Sequence, residues 1–492
     1  MMDRTIAAGA LVDTASELRN DGWRLATIAV RDSNAPDLAY VYCGPPGKGW
    51  QRLLVRVPEG VRALPSLTPT DIAADWLERE LEDLFAVDFV GHPRLGDFVL
   101  HDDHWAEGIG PMRSDASIPP PAERSWQPRR VLREEGAFVM PVGPIYSGEA
   151  ESALFLLETV GEDVVRAVPR LFYKYRGIEK LVQGRDVHDA LLFVERANGT
   201  SAFAHAWTFC MAAEEIAGVD VPPRAQHLRA LFAELERLRR HTAVIRAIAD
   251  STALWVAAAR LLELEERLLR LSCATAGHRY LFGLVAPGGL TRDVDDATIA
   301  NLVREAGDVC ASVVRTVEEL GHTSSFLDRI QRVGILSRGQ AETFGTVGPF
   351  ARASDASLDL RAAQPYGAYA SLDVAVPSER EGDGYARLRL LSSEARASLA
   401  LVTVIADNLP GGSVRCDWRP RAGEALGWVE APGGASVQLL RLDSDGRCVN
   451  LRFTPPSFRN WQSFRWVTED FAFQDFPIIL ATCGLSVAEN DR

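Results

Sequence analysis

Thiol pairs are the first thing missing from this sequence. Its seven cysteines, Cys43, Cys210, Cys273, Cys310, Cys416, Cys448 and Cys483, are odd in number and widely spaced, and no two form a C-x-x-C. That excludes a disulfide framework and a zinc ribbon, fits a reducing cytosol, and leaves most thiols as small buried hydrophobes. Long apolar runs are missing as well. The best stretch near the end, Phe476 to Val487, is interrupted by Thr, Cys, Gly and Ser and falls short of the roughly 18 residues a bilayer span needs. No basic-then-apolar leader opens the chain, so membrane association is expected to pass through a partner protein. Basic residues are the minority: 53 Lys and Arg against 67 Asp and Glu give a net charge of -14. An acidic surface argues against nucleic acid as a partner and against direct docking on anionic lipid.

What is present is ample apolar material, 47% of 492 residues, enough for two or three domains with sizeable cores. Residues 23–57 read as three strands, Trp23–Val30, Leu38–Cys43 and Trp50–Val57, parted by Gly and Pro. Thr68-Pro69-Thr70-Asp71 then caps a helix whose stripe is Ile72, Trp76, Leu77, Leu81, Leu84 and Phe85. The Pro-rich stretch from Ser114 to Arg130 predicts an extended linker. Beyond it, Ala137–Val160 predicts a strand pair. Helical patterns follow from Pro222-Pro223, over Ser251 to Ala276, and from Asp295-Asp296 to Gly321. The last third, from Gly334, reads as loops with one helix near Ser392–Leu409 and strands such as Ser436–Leu442. The expected fold is α+β: a small α+β unit over residues 1–114, a linker over 115–136, and a mainly helical unit with peripheral sheets over 137–492.

Two local patterns mimic chemistry. Gly44-Pro45-Pro46-Gly47-Lys48-Gly49 hints at a phosphate loop, but a P-loop needs Ser or Thr after its Lys, and a hairpin turn is the better reading. His101-Asp102-Asp103-His104 resembles a metal cluster, yet neighbours in a loop rarely converge on one ion, so a solvated loop is expected. His227, His241 and His278 are expected to be structural.

The sequence resembles known families at two places. Trp76-Leu77-Glu78-Arg79-Glu80, Asp83-Leu84-Phe85 and Gly91-His92-Pro93, with Trp105 after them, are similar to the C-type subunit of complex I over about residues 20–115. Val142-Gly143-Pro144-Ile145 and Leu171-Phe172-Tyr173-Lys174-Tyr175-Arg176-Gly177-Ile178-Glu179-Lys180 resemble the D-type subunit of complex I and the large subunits of membrane-bound hydrogenases. Val194-Glu195-Arg196, Pro223-Arg224-Ala225-Gln226, Asp359-Leu360-Arg361, Glu430-Ala431-Pro432 and the final Asp491-Arg492 extend that likeness over more than half of the chain. A C-plus-D fusion is similar to the formate hydrogenlyase large subunit.

The resemblance implies where nickel would sit. Catalytic hydrogenases hold nickel and iron with two C-x-x-C pairs, one in E-R-x-C-G-x-C and one in D-P-C-x-x-C. Here Asn198 and Ser201 stand at the first pair and Ser486 and Glu489 at the second. Oxygen and amide donors are poor substitutes for thiolates around a soft, redox-active metal, so no metal site is expected. In complex I the same cleft receives a quinone headgroup, using a loop His and a Tyr. Tyr146 takes the loop position and Gly199 the Tyr position, with Arg196 and Asp491 as further pocket candidates. Glu179 and His205 are the candidates for a proton relay.

The resemblance therefore implies a large subunit of a membrane-associated complex I/formate hydrogenlyase-like oxidoreductase on the cytoplasmic face. Its expected partners are a small iron–sulfur subunit, which holds the cluster, and antiporter-like membrane subunits. Quinone is the candidate acceptor, and no cofactor is expected on this chain. The alternative is a non-catalytic scaffold coupling the peripheral arm to the membrane subunits. No G-x-G-x-x-G follows a strand, so any NADH chemistry belongs to the complex rather than to this chain.

Overall fold

The computed structural model describes residues 1–31, 37–57, 62–113, 115–127, 135–145, 151–356 and 358–492. The three strands expected near the N-terminus form at Arg24–Val30, Leu38–Cys43 and Trp50–Arg56, and the Gly44–Gly49 segment closes the hairpin between the last two. A strand that local pattern does not reveal, Met2–Ala7, adds in parallel to Trp50–Arg56. Every residue of Leu38–Cys43 is buried. Ala39, Val41 and Cys43 join one core, while Leu38, Tyr40 and Tyr42 join another. Period-two side chains on a sheet covered on both faces give a continuous apolar run instead of alternation.

The helix over Asp75–Phe85 has Asp71 capping the short turn before it. The described part of the Pro-rich stretch docks: Ala122 and Arg124 donate backbone hydrogen bonds to His104 and Asp103, and Arg170 stacks 4.0 Å from the Trp126 ring. The strand pair after it is one half of a four-stranded sheet. Ala137–Val142 and Leu154–Val160 continue into Asp163–Arg170, and Glu469–Ala472 returns from near the C-terminus to pair at the edge.

The helical body is built from Pro223–Ser251, Trp255–Ala276, Asp296–Gly321 and Gly384–Asp407, which pack on one another. Pro223 sits at the first helical position, where its missing N–H costs nothing. The last of these helices starts earlier than its apolar stripe suggested, because the Asp383 side chain accepts from Ala386 N at 2.7 Å and caps it. The final third is more regular than expected. Beside that helix it holds Pro456–Val467, Phe476–Cys483 and several short turns, with a meander of Gly423–Ala431, Gly434–Leu442 and Cys448–Thr454. Prolines at the starts of Pro456–Val467 and Phe476–Cys483 mark helix starts rather than breaks. Among the described residues no helix is long and apolar enough to cross a membrane.

Candidate functional site

The meander's last strand points at the site. In Cys448–Thr454 successive side chains alternate. Arg452 and Thr454 reach Thr27 of the N-terminal sheet, at 3.2 and 2.7 Å, and Phe453 faces the opposite way, against the His205 ring. Asp491 and Arg492 complete the site. Arg176 N and Gly177 N donate to the carbonyls of Asp491 and Arg492, at 2.9 and 3.1 Å. The Asp491 carboxylate accepts from Phe172 N and Lys174 N, and burial pushes it up to about 6. The Leu171–Lys180 segment thus grips the tail through its backbone.

Four buried charges meet there. Glu80, from the Asp75–Phe85 helix, accepts from Arg492 and forms an ion pair with Arg452, each at 2.6 Å. Glu179 lies 3.6 Å from both arginines and accepts from Phe453 N at 2.7 Å. Burial raises the Glu179 carboxyl above its usual range despite those two guanidiniums. The same burial raises the neighbouring Tyr175 phenol, whose hydroxyl has no partner among the described residues. In the sequence Glu80 stands out only as part of a motif; its place as the N-terminal unit's contribution to this site becomes visible with the fold.

His205, from the Ala202–Ala217 helix, is fully buried. Its Nε2 faces Glu489 at 3.0 Å and its Nδ1 faces Ser436 at 3.1 Å. Burial works against the Glu489 charge, yet the His205 and Ser457 hydrogen bonds hold its carboxyl below the ordinary range. Glu179 and His205 do not touch: Glu179 bonds the Phe453 backbone and His205 packs edge-on against the Phe453 ring, 4.8 Å away.

The positions where the resemblance puts nickel ligands come together without thiols. Asn198 Nδ2 donates to Ser486 Oγ at 2.9 Å, and Ser486 in turn accepts from Glu489 N, capping the last helix, Val487–Asn490. Ser201 precedes the Ala202–Ala217 helix at its N-cap position, and its carbonyl accepts from His205 N. Arg176 donates to the carbonyls of Ala197, at 2.7 Å, and of Ala488, bolting the two segments together. Glu151, which no sequence motif marks, accepts from Ser486 Oγ and from the N–H groups of Val487 and Ala488, as a carboxylate at a helix N-terminus should. Cys210 and Cys483 have different surroundings: Glu214 and Arg229 for the first, Arg387 and Thr482 for the second. Among the described residues no three His, Cys, Asp or Glu side chains gather as a metal-binding group. An amide, two hydroxyls and a carboxylate already paired with a histidine do not fit a nickel–iron centre, which needs thiolates.

The quinone-pocket candidates divide. Tyr146 lies outside the described residues. Gly199 is roofed by an aromatic ring: a Cβ there would sit 3.5 Å from the Tyr280 side chain, and Arg239 lies 5.2 Å from that ring. Tyr280 escapes sequence reading because nothing local links it to Gly199. The Arg196 guanidinium pairs with Glu195 and lies 4.9 Å from the Phe282 ring. His101, expected in a solvated loop, is buried with Nε2 2.7 Å from Leu171 O, while Asp103 pairs with Arg170 and His104 stays exposed; the burial of His101 comes from the docking of Leu171 onto that loop.

These elements match families in the same order as the motifs. Residues 4–122 match "Respiratory-chain NADH dehydrogenase, 30 Kd subunit", and 250–421 with 413–492 match "Respiratory-chain NADH dehydrogenase, 49 Kd subunit". Residues 176–245 match "Nickel-dependent hydrogenase". The chain carries complex I 30-kDa and 49-kDa domains fused in one polypeptide. Formate hydrogenlyase subunit 5 of Escherichia coli (strain K12) is 29% identical over 90% of this chain and 80% of its own length. The C/D subunit of NADH-quinone oxidoreductase from Bdellovibrio bacteriovorus is 26% identical over 90% and 85%, respectively. The carbon monoxide-induced hydrogenase of Rhodospirillum rubrum is 28% identical over 72% of this chain and 99% of its own. Glu80 comes from the segment matching the 30-kDa model, Glu179 from that matching the hydrogenase model, and Arg452 and Arg492 from that matching the 49-kDa model, so the buried quartet joins all three.

Proposed function

We propose that this chain is the large peripheral subunit of a membrane-associated oxidoreductase of the complex I and formate hydrogenlyase kind, seated beside a small iron–sulfur subunit, with a nickel-free cleft that serves electron transfer to quinone. Relatives named as subunits of formate hydrogenlyase and NADH-quinone oxidoreductase support the oxidoreductase part. The observation that carries the nickel-free part is the Asn198–Ser486 hydrogen bond, which occupies with hard donors the place where thiolates would be needed. Within this reading the iron–sulfur cluster belongs to the partner, antiporter-like subunits hold the complex in the membrane, and Glu179 and His205 handle protons near the acceptor. Their burial gives a low-dielectric setting in which one proton changes the local field strongly.

A second reading has its own support. The Tyr280 ring over Gly199 and the tail's backbone hydrogen bonds to Arg176 and Gly177 favour a scaffold that transmits conformational change without chemistry in the cleft. Metal analysis of the purified chain tests the nickel-free claim: nickel far below one per chain is expected, and stoichiometric nickel overturns it. Quinone reduction by the purified complex separates the two readings. Glu179→Gln and Tyr146→Phe are expected to slow it; unchanged rates in both variants defeat the active cleft and leave the scaffold.

A further inference from the structure

A second charge cluster lies inside the helical body, away from the tail. Glu234 accepts from Arg361, Tyr369 and Ser398, at 2.8, 2.6 and 2.7 Å, and lies 3.3 Å from Arg237. Asp359 pairs with Arg361 at 2.7 Å and Arg352 at 3.4 Å. Arg352 also binds Glu394 at 2.8 Å and Glu430 at 2.9 Å, and His241 Nε2 faces Glu394 at 2.7 Å. All of these side chains are buried. Four carboxylates meet only three guanidiniums, so electroneutrality needs one proton, on His241 or on a carboxylate.

That proton has an exit. A cavity of about 30 Å³ lies against His241, with Ser457, Asn460, Arg240, Arg387 and Gly484 among its walls. A water needs about 10–15 Å³ and two or more polar partners. Most polar walls are committed within the protein. Asn460 bonds both Val347 N and Val347 O, Arg387 bonds the carbonyls of Gly382 and Gly334, and Arg240 bonds Gly484 O. Two are not spent. His241 uses Nε2 on Glu394, which leaves Nδ1 for the cavity. The Ser457 hydroxyl accepts from Ser486 N at 3.2 Å and sits beside Glu489, which accepts from Ser457 N at 3.0 Å and whose other oxygen faces His205.

We propose that this cavity holds water which, with the Ser457 hydroxyl, joins the His241–Glu394 pair to the Glu489–His205 pair as one proton-exchanging path between the inner cluster and the cleft. The path goes beyond the electron-transfer reading and stands whether or not a quinone binds. Each hop breaks one N–H or O–H bond and forms another, from His241 Nδ1 to water, to Ser457 Oγ, to Glu489, to His205. No electrons change hands, and every group ends as it began once a second proton enters. The groups facing His241 are Arg237 and Arg240 on its own helix, Arg352 on Gly348–Arg352, Glu394 and Arg387 on Gly384–Asp407, Glu430 on Gly423–Ala431, and Cys483 on Phe476–Cys483. Burial lowers the His241 imidazole, with Arg237 and Arg352 acting in the same direction, so a proton placed there is readily passed on.

A high-resolution structure of the full chain is expected to place ordered water within hydrogen-bond reach of both His241 and Ser457; a dry cavity overturns the path. Ring-proton exchange with solvent tests the function, followed by NMR on the full chain carrying isotope-labelled histidine. Val244→Ile fills the cavity without touching a polar group, and Ser457→Ala removes the hydroxyl while keeping the backbone bond to Glu489. Each is expected to slow exchange at His241 roughly tenfold, the scale of one lost hydrogen bond, while partly exposed His227, bonded to Pro223 O at 2.8 Å, exchanges as before. If Val244→Ile does not fold, Ser457→Ala decides the matter alone. Unchanged exchange at His241 in the folded variants overturns the proposal.

Discussion

The tail cluster sets Glu80 and Glu179 against Arg452 and Arg492, two charges of each sign, and its ions come from all three matched segments of the chain. The inner cluster sets Glu234, Asp359, Glu394 and Glu430 against Arg237, Arg352 and Arg361, with His241 beside them, and none of its members comes from the 30-kDa segment. Both are buried and built from the same kinds of side chain. A balanced quartet needs no extra proton for neutrality and ties two halves together, although burial raises the Glu179 carboxyl within it. An unbalanced cluster must carry a proton, and that proton becomes a variable. Charge count rather than burial separates a lock from a store.

Breaking the joint is expected to have the largest effect. Glu80→Ala leaves two buried guanidiniums sharing only Glu179, at 3.6 Å from each, and should cost about 3–5 kcal/mol, the usual penalty for orphaning buried charge. Urea unfolding of the purified chain measures it; a loss under about 1 kcal/mol would mean that the quartet does not join the halves.

The inner cluster should instead reveal itself through pH. Burial, then Asp359, pushes the Glu430 carboxyl from 4.5 up to about 7. The folded state therefore holds a proton that the unfolded state releases. This contribution is fully present below about pH 4.5 and is lost as pH rises through about 7. Glu430→Gln, neutral at every pH, is expected to flatten that part of the stability profile between about pH 5 and about pH 7, leaving the shares contributed by Glu236 and Asp83, also pushed up to about 7 by burial, and by Asp491, pushed up to about 6. Stability measured at both pH values in wild type and variant checks it, and an identical slope in the two proteins would relocate the proton to His241.

The smallest effect is expected at the cleft. Asn198→Ala removes one neutral hydrogen bond to Ser486 and should cost about 1 kcal/mol. A thermal shift as large as that of Glu80→Ala would show that the degenerate ligand positions, rather than the quartet, hold the tail.

Much of this was legible in the sequence. The strands from Arg24 to Arg56 and the helices from Pro223 to Gly321 were marked by period, caps and prolines. The motif residues at Arg176, Glu179, Asp491 and Arg492 did converge. The partners of those residues were not legible. Glu80 and Arg492 are separated by 412 positions, and Tyr280 covers Gly199 from a different segment. Local pattern reports which face of an element is apolar, but says nothing about which distant element covers it.

By itself the sequence determined that thiolates are absent from both ligand pairs, because a side chain's donor chemistry is fixed by its identity. It also marked the strands from Arg24 to Arg56 and the helices from Pro223 to Gly321, which follow from local periodicity and capping. Only the tertiary structure decided which charges face each other in the buried interior. Coulomb energy falls with distance and rises as water is excluded, and both of those are set by packing that brings residues as far apart in sequence as Glu80 and Arg492 into contact.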